Sequence, residues 1–254
     1  MKKKMGKIIR TVILVVCVIV FCFSAYELIK IFLEYHAGSQ EYDKLESYTT
    51  QPADDTQSTG ETKEFSVNYD GLRQINSDIV GWIRIPDTTV NYPMMQAADN
   101  DYYLKHTFER KTNIAGSIFL DKRNSPDFSD KNTIIYGHHI KNGKMFADLR
   151  HYTEETFFQE HPIIYLNTPG AGNVEYEIFS FYLTGEYRDT YGKTYSYQFA
   201  DDAEYQEYLD MITAQSQYDT GVSVCVQDSI ITLSTCTNRT DDERYIVHAK
   251  KLSK

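Results

Sequence analysis

The sequence predicts a mainly β domain of about eight strands with helices as inserts, a barrel or a sandwich, carried behind an N-terminal membrane span. Three observations point there. The chain holds 21 Tyr and 13 Phe against one Trp, and aromatic side chains suit strands. Short apolar or alternating runs recur between turn-forming clusters from Gly81 onward, the pattern of a sandwich or barrel rather than a helical bundle. Finally, Thr11 to Ile29, TVILVVCVIVFCFSAYELI, carries Glu27 as its only charge, close to the roughly 20 residues a helix needs to cross a bilayer.

The first ten residues hold Lys2, Lys3, Lys4, Lys7 and Arg10 and no acid, so the net charge of −10 splits into +5 there and −15 over the remainder. A basic flank before an apolar span keeps the N-terminus inside. Residues 1–10 therefore read as a cytoplasmic basic segment, 11–30 as a transmembrane anchor, and everything after as extracytoplasmic, in a single-pass protein of the cell membrane. A cleaved signal peptide competes, with small residues at Phe23-Ser24-Ala25, but the apolar run exceeds the usual signal-peptide core of about 7–15 residues. Residues 31–64, including TTQPADDTQSTGETKE, lack apolar periodicity and read as a polar stalk. Residues 65–254 are the working domain.

That domain should open with a short helix through Tyr69, Leu72 and Ile75, ended by Asn76-Ser77-Asp78. Strands are expected at Gly81 to Ile85, Thr89 to Tyr92, Gly116 to Leu120, Asn132 to Tyr136, Ile163 to Asn167, Glu175 to Gly185, Ser229 to Thr235 and Arg244 to Lys250. Helical patterns fall near Ala98 to Tyr103, Met145 to Leu149, Thr153 to His161 and Ala200 to Ala214, the last with Asp201 and Asp202 in its first turn.

Composition excludes several classes. An acidic body does not suit nucleic acid, whose phosphates demand clustered Lys and Arg. Cys17 and Cys22 sit in the span as small apolar fillers, leaving Cys225 and Cys236 outside. Those two could pair in an oxidising compartment, yet they make no disulfide framework and no metal-site spacing. No acidic loop of calcium-binding type is present either, so no metal and no cofactor is expected.

Side-chain alternation places the chemistry. In IITLSTC, Ile230 to Cys236, one face carries Ile231 and Leu233 and the other Thr232, Ser234 and Cys236. In NTIIYGH, Ile134, Tyr136 and His138 share a face, and in RYIVHAK, Arg244, Ile246 and His248 do. A thiol with a pKa near 8.5 is only a few per cent thiolate at neutral pH and needs a base or cation beside it. A histidine supplies the base and later protonates a leaving amine. An arginine donates to the oxyanion of a tetrahedral intermediate. A cysteine, a histidine and an arginine thus suffice for acyl transfer.

The segments TLSTC at Thr232 to Cys236, YGHHIKNGKMFADL at Tyr136 to Leu149 and ERYIVHAK at Glu243 to Lys250 resemble the three catalytic signatures of class B sortases, and VGWIRIPDTTVNYPMMQ at Val80 to Gln96 is similar to that class too. The likeness runs in consistent order from about Asn68 to the C-terminus. It implies an eight-stranded sortase-type barrel that cleaves a C-terminal sorting signal after its threonine and transfers the acyl group to an amine of the cell-wall precursor, a lipid II-type peptide. Its partners would be sorting-signal-bearing secreted proteins. Carried onto this chain, Cys236 is the nucleophile, His138 the acid/base and Arg244 the stabiliser. Asn91, Tyr136 and Ser234 resemble positions lining the sorting-signal groove, and Gly185 to Val222 resembles the substrate-selecting insertion. Thr237 and Asn238 stand where some relatives have an acid, which leaves a Cys-His-Asp triad there unsupported, with Asp241, Asp242 and Glu243 nearby. Arg239 competes with Arg244, but Arg244 opens the apolar strand as the family's arginine does.

Blander readings remain for several residues. Cys225, in VSVCVQ, reads as a filler, and His139 as a surface or supporting group. His106, His151, His161 and His248 read as surface or partly buried histidines, His248 on one face with Arg244. A pilin-polymerising sortase, a thiol hydrolase and a non-catalytic membrane-tethered binding module are the competing functions.

Overall fold

A computed structural model describes residues 2–50, 64–185, 191–236 and 243–252. Helix α1 (Lys2–Leu45) runs for 44 residues. A short antiparallel ribbon of β1 (Thr49–Thr50) and β2 (Ser66–Val67) follows. Next comes α2 (Tyr69–Ile75), whose N-cap Asn68 accepts from the Gly71 N–H at 3.0 Å. Then come β3 (Ile79–Arg84), β4 (Asn91–Met95), β5 (Ile118–Leu120), β6 (Asn132–Tyr136), α3 (Glu155–Glu160), β7 (Ile163–Thr168) and β8 (Gly172–Gly185). The chain closes with α4 (Tyr191–Thr194), α5 (Asp202–Ala214), β9 (Ile230–Cys236) and β10 (Glu243–Lys251). Among the described residues, β3 to β10 form one closed eight-stranded barrel in the order β10-β8-β7-β3-β4-β5-β6-β9, with β9 returning to β10. The choice between barrel and sandwich is thereby resolved. Each expected strand is present, with ends shifted by a few residues.

Two pairs are parallel, β4 with β5 and β6 with β9. Each needs a long crossover, and that of β6 and β9 brings strands almost 100 residues apart in sequence side by side. Alternation sorts β9 and β10 as anticipated. Ile231, Leu233, Tyr245 and Val247 enter the main core with Ile135, Trp82 and Ile83, whereas Ile230 and Ile246 point outward into a second apolar cluster. That cluster is covered by α5, whose Tyr205, Tyr208, Leu209 and Ile212 are buried at helical spacing. Asp201 caps α5 by accepting from the Glu204 N–H at 2.9 Å.

The outer face of β9 is therefore polar without being exposed. Thr232 and Ser234 are buried, and His248, expected at or near the surface, is wholly buried. Thr232 Oγ1 donates to Asn132 Oδ1 at 2.8 Å and lies 2.9 Å from His248 Nδ1, while His248 Nε2 lies 2.9 Å from the Tyr182 hydroxyl. Burial without a carboxylate partner depresses the His248 pKa to about 3. An unfolded histidine takes up its proton near pH 6.5, so the unfolded state binds more protons between those limits and stability falls as pH falls. At pH 5 the effect is about 2 kcal/mol, or roughly 4–8 °C in Tm for a domain of this size. His248→Gln, neutral throughout, should narrow the difference in melting temperature between pH 7 and pH 5 by that amount. An unchanged difference would show that His248 is not the acid-sensitive group.

Helix α1 departs from expectation at its far end. From Ile9 to Leu33 its large apolar side chains are exposed, Phe21 at 73%, and α1 is long and apolar enough to cross a membrane. Where the sequence suggested a stalk from 31 to 64, however, α1 continues to Leu45 and its last turns lie on the barrel. Gly38, Glu41, Tyr42 and Leu45, at helical spacing, are buried. The Tyr42 hydroxyl donates to Gly116 O at 2.7 Å and lies 3.0 Å from Ser117 Oγ, while Glu41 accepts from Thr107 Oγ1 and the Glu109 N–H. Residues 51–63 of that stretch lie outside the described residues.

Candidate active site

Strand register brings the three candidate residues into one row. Tyr136 of β6 pairs with Ser234 of β9, and the Gly137 N–H donates to Ser234 O at 3.1 Å, so both chains are still side by side as the sheet ends. One residue beyond Gly137 stands His138, and two beyond Ser234 stands Cys236. Cys236 is in turn the antiparallel partner of Arg244, whose other neighbour is Thr184 of β8. His138, Cys236 and Arg244 thus occupy one end of three adjacent strands, which are spaced at about 4.8 Å. Thr237, Asn238, Arg239, Asp241 and Asp242 lie outside the described residues.

His138 is held from two sides. Its carbonyl accepts from the Phe146 N–H at 2.9 Å, and its Nε2 lies 2.7 Å from Leu104 O. A carbonyl only accepts, so Nε2 carries the hydrogen and the neutral ring keeps its lone pair on Nδ1. The approach depends on Gly116, at φ 59°, where an added Cβ would stand 2.6 Å from Tyr103 O, 2.9 Å from Leu104 O and 3.0 Å from His138 Cδ2. The Tyr42 hydroxyl bonds this same glycine, so α1 buttresses the segment behind the histidine. Gly137 is equally confined, because a Cβ there would meet the Ile118 and Phe146 side chains. His139 takes the opposite direction, with its ring 5.9 Å from that of Tyr245. Arg244 is half-buried and donates from Nη1 to Glu243 O at 3.0 Å.

A cleft of about 490 Å³ opens at this end of the barrel, with His138, Arg244, Tyr136 and Ser234 in its wall. The Ser234 hydroxyl lies 3.0 Å from that of Tyr195, in the segment between β8 and β9. Tyr136 donates to Asp121 Oδ2 at 2.9 Å. Asn91 is not brought here. It begins β4, where its side chain accepts from Trp82 Nε1 at 2.7 Å and donates to Glu46 Oε1 at 3.1 Å. The asparagine in the cleft wall is Asn100, which sequence reasoning missed along with Asp121, Arg123 and Tyr195. The available signal was a polar run directly after a buried strand, Asp121-Lys122-Arg123-Asn124 following Ile118–Leu120. Cys225 is a free, exposed cysteine, so it forms no disulfide with Cys236.

The sortase domain family model matches residues 83–252, which runs from the end of β3 to β10 and takes in the cleft-lining residues. The chain belongs to the sortase family, in its class B. This sortase is 38% identical to Sortase B of Listeria monocytogenes over all of its length and 99% of that protein's, and 34% identical to Sortase B of Staphylococcus aureus over 98% of both. Its structure is similar to that of Bacillus anthracis sortase B in complex with AAEK1. That match has a TM-score of 0.74 at 35% identity, and covers 88% of this chain and all of that one. The sortase is accordingly a cysteine transpeptidase with an eight-stranded barrel, as the sequence motifs implied.

Proposed function

We propose that the cleft receives the C-terminal sorting signal of secreted proteins and that Cys236 attacks the carbonyl carbon of its threonine. The Cys236 thiolate adds to that carbon, and the electron pair moves to oxygen, where Arg244 donates to the oxyanion. Collapse expels the downstream amine, which takes its proton from His138 and leaves a thioester. An amine of the cell-wall precursor then attacks the thioester, gives a proton to His138 and departs as the new amide, restoring the thiolate. The observation that carries this reading is the register that sets His138, Cys236 and Arg244 in a row beside the cleft.

The same reading places the N-terminal basic segment in the cytoplasm and the barrel outside, where secreted proteins and wall precursors are both within reach. The apolar surface of α1 and its basic flank support that orientation. The test incubates the full chain in detergent micelles with a library of fluorescence-quenched peptides containing a Thr cleavage position, with triglycine or diaminopimelate as amine. The expected products are a peptide–amine conjugate and an acyl-enzyme on Cys236, both read by mass spectrometry. Release of free acid alone at saturating amine would point to a hydrolase instead.

A further inference from the structure

We propose that Asp121 is a positioning residue of the cleft, holding the Tyr136 hydroxyl so that it only accepts from the bound peptide and thereby favouring a carboxamide over a carboxylate there. This rests on the peptide-cleaving reading above and assigns a determinant within it. Asp121 follows β5 directly, and its N–H donates to Ile134 O at 2.9 Å, so its backbone is fixed by the barrel. Its side chain is 1% exposed. Oδ1 accepts from Arg123 N and Arg123 Nε, each at 2.9 Å. Oδ2 accepts from Arg123 Nη2 at 2.8 Å, Tyr136 Oη at 2.9 Å and Asn100 Nδ2 at 3.2 Å.

Five donors on one buried carboxylate leave it no choice of state. Burial alone would raise the Asp121 carboxyl, but the hydrogen bonds and charge of Arg123, with the Tyr136 hydroxyl, outweigh it and hold it below the usual carboxylate range. Burial, and next the charge of Asp121, push the Tyr136 phenol up, so it keeps its proton. That single proton is committed to Asp121, so only lone pairs remain on the hydroxyl. Tyr136 is half-buried in the cleft wall, its ring 5.4 Å from Phe119 and 6.0 Å from Tyr195. A peptide group meeting it must bring an N–H or O–H. A carboxylate would meet an acceptor with a second carboxylate behind it, while the Arg123 charge is already paired and stacked over Tyr197 at 4.8 Å. Arg244, the other arginine among the described residues of the cleft wall, stands next to Cys236 instead.

The network also reaches the nucleophile strand. Arg123 Nη2 lies 3.4 Å from Tyr195 O, and the Tyr195 hydroxyl meets Ser234, two residues before Cys236. A site built to pair a donor rejects the analogue that lacks it, because its own polar groups are then left unmatched.

The test uses the full chain in micelles and matched fluorescence-quenched peptides in which each residue preceding the cleaved Thr is in turn Gln or Glu. Wild type should prefer Gln at one position by about tenfold or more in kcat/KM, a factor in keeping with one hydrogen bond. In Asp121→Asn the new amide donates to Tyr136 and frees its proton, so that preference should fall to about twofold or less, chiefly through KM. Tyr136→Phe, which leaves the Asp121–Arg123 pair intact, should lose the same preference, and the double variant should lose no more than either alone. A folded Asp121→Asn that keeps the wild-type preference would overturn the proposal, as would a Tyr136→Phe that keeps it. If Asp121→Asn melts early, Tyr136→Phe decides. A wild type that cleaves no peptide in the set would remove the peptide-cleaving reading itself, a failure distinguishable from loss of the Asp121 role alone.

Discussion

Replacing Cys236 by Ala is expected to lower sorting-peptide cleavage by about 10⁴-fold or more, to the detection limit, and to abolish the acyl-enzyme. No other group in the row can form the thioester, since His138 and Arg244 supply only protons and hydrogen bonds. Ala keeps the backbone pairing of position 236 with Arg244, so the melting temperature should stay within a few degrees of wild type. Cys225→Ala is the internal control. Cys225 is exposed, and its backbone N–H caps a turn by donating to Asp228 Oδ2 at 2.8 Å, so cleavage should be unaffected. Turnover by Cys236→Ala above a tenth of wild type would refute the nucleophile assignment, and inactivity of Cys225→Ala would mean the wrong cysteine had been chosen.

The strand faces on which that proposal rests were legible because strand alternation is a rigid rule. Once IITLSTC is a strand, Leu233 and Cys236 must point to opposite faces, and the structure separates the same two sets, Leu233 into the main core and Ile230 outward. What alternation cannot show is what covers the far face. Thr232 and His248 on that face are buried beneath α5 and the segment before it, and Ser234, nearer the strand end, is the one that reaches the cleft wall. The docked end of α1 was illegible for a related reason. Its buried stripe is Gly38, Glu41, Tyr42 and Leu45, in which one residue is charged and one lacks a side chain, so no apolar periodicity marks it. Helix α4 is four residues long, below the length at which a helical pattern can be read. Asn91 was drawn into the site by the motif around it, but Trp82 and Glu46 claim its side chain. Asn100, Asp121 and Arg123 were missed because their meeting is a tertiary event that no local spacing encodes.

Removing the imidazole of His138 should cost about 10³-fold in kcat, within the range general acid–base catalysis supplies. Without it a thiol near its ordinary pKa is only a few per cent thiolate at neutral pH, and the leaving amine has no proton donor. Two variants separate chemistry from packing. His138→Ala also deletes the donor to Leu104 O, which is 2.7 Å from Nε2, and so combines catalytic loss with a slackened loop. His138→Gln places an amide N–H where Nε2 stood, keeping the link to Leu104 while offering no base at the position of Nδ1. Both should lose activity to a similar degree, but only His138→Ala should show a lowered melting temperature and a partial recovery of rate with added imidazole. A His138→Gln enzyme within tenfold of wild type would mean that the ring serves to hold the Leu104 and Gly116 segment rather than to move protons. The expected loss from a well-folded His138→Gln instead ties the Leu104 carbonyl to the mechanism, because that carbonyl selects the Nε2–H tautomer and leaves Nδ1 as the base.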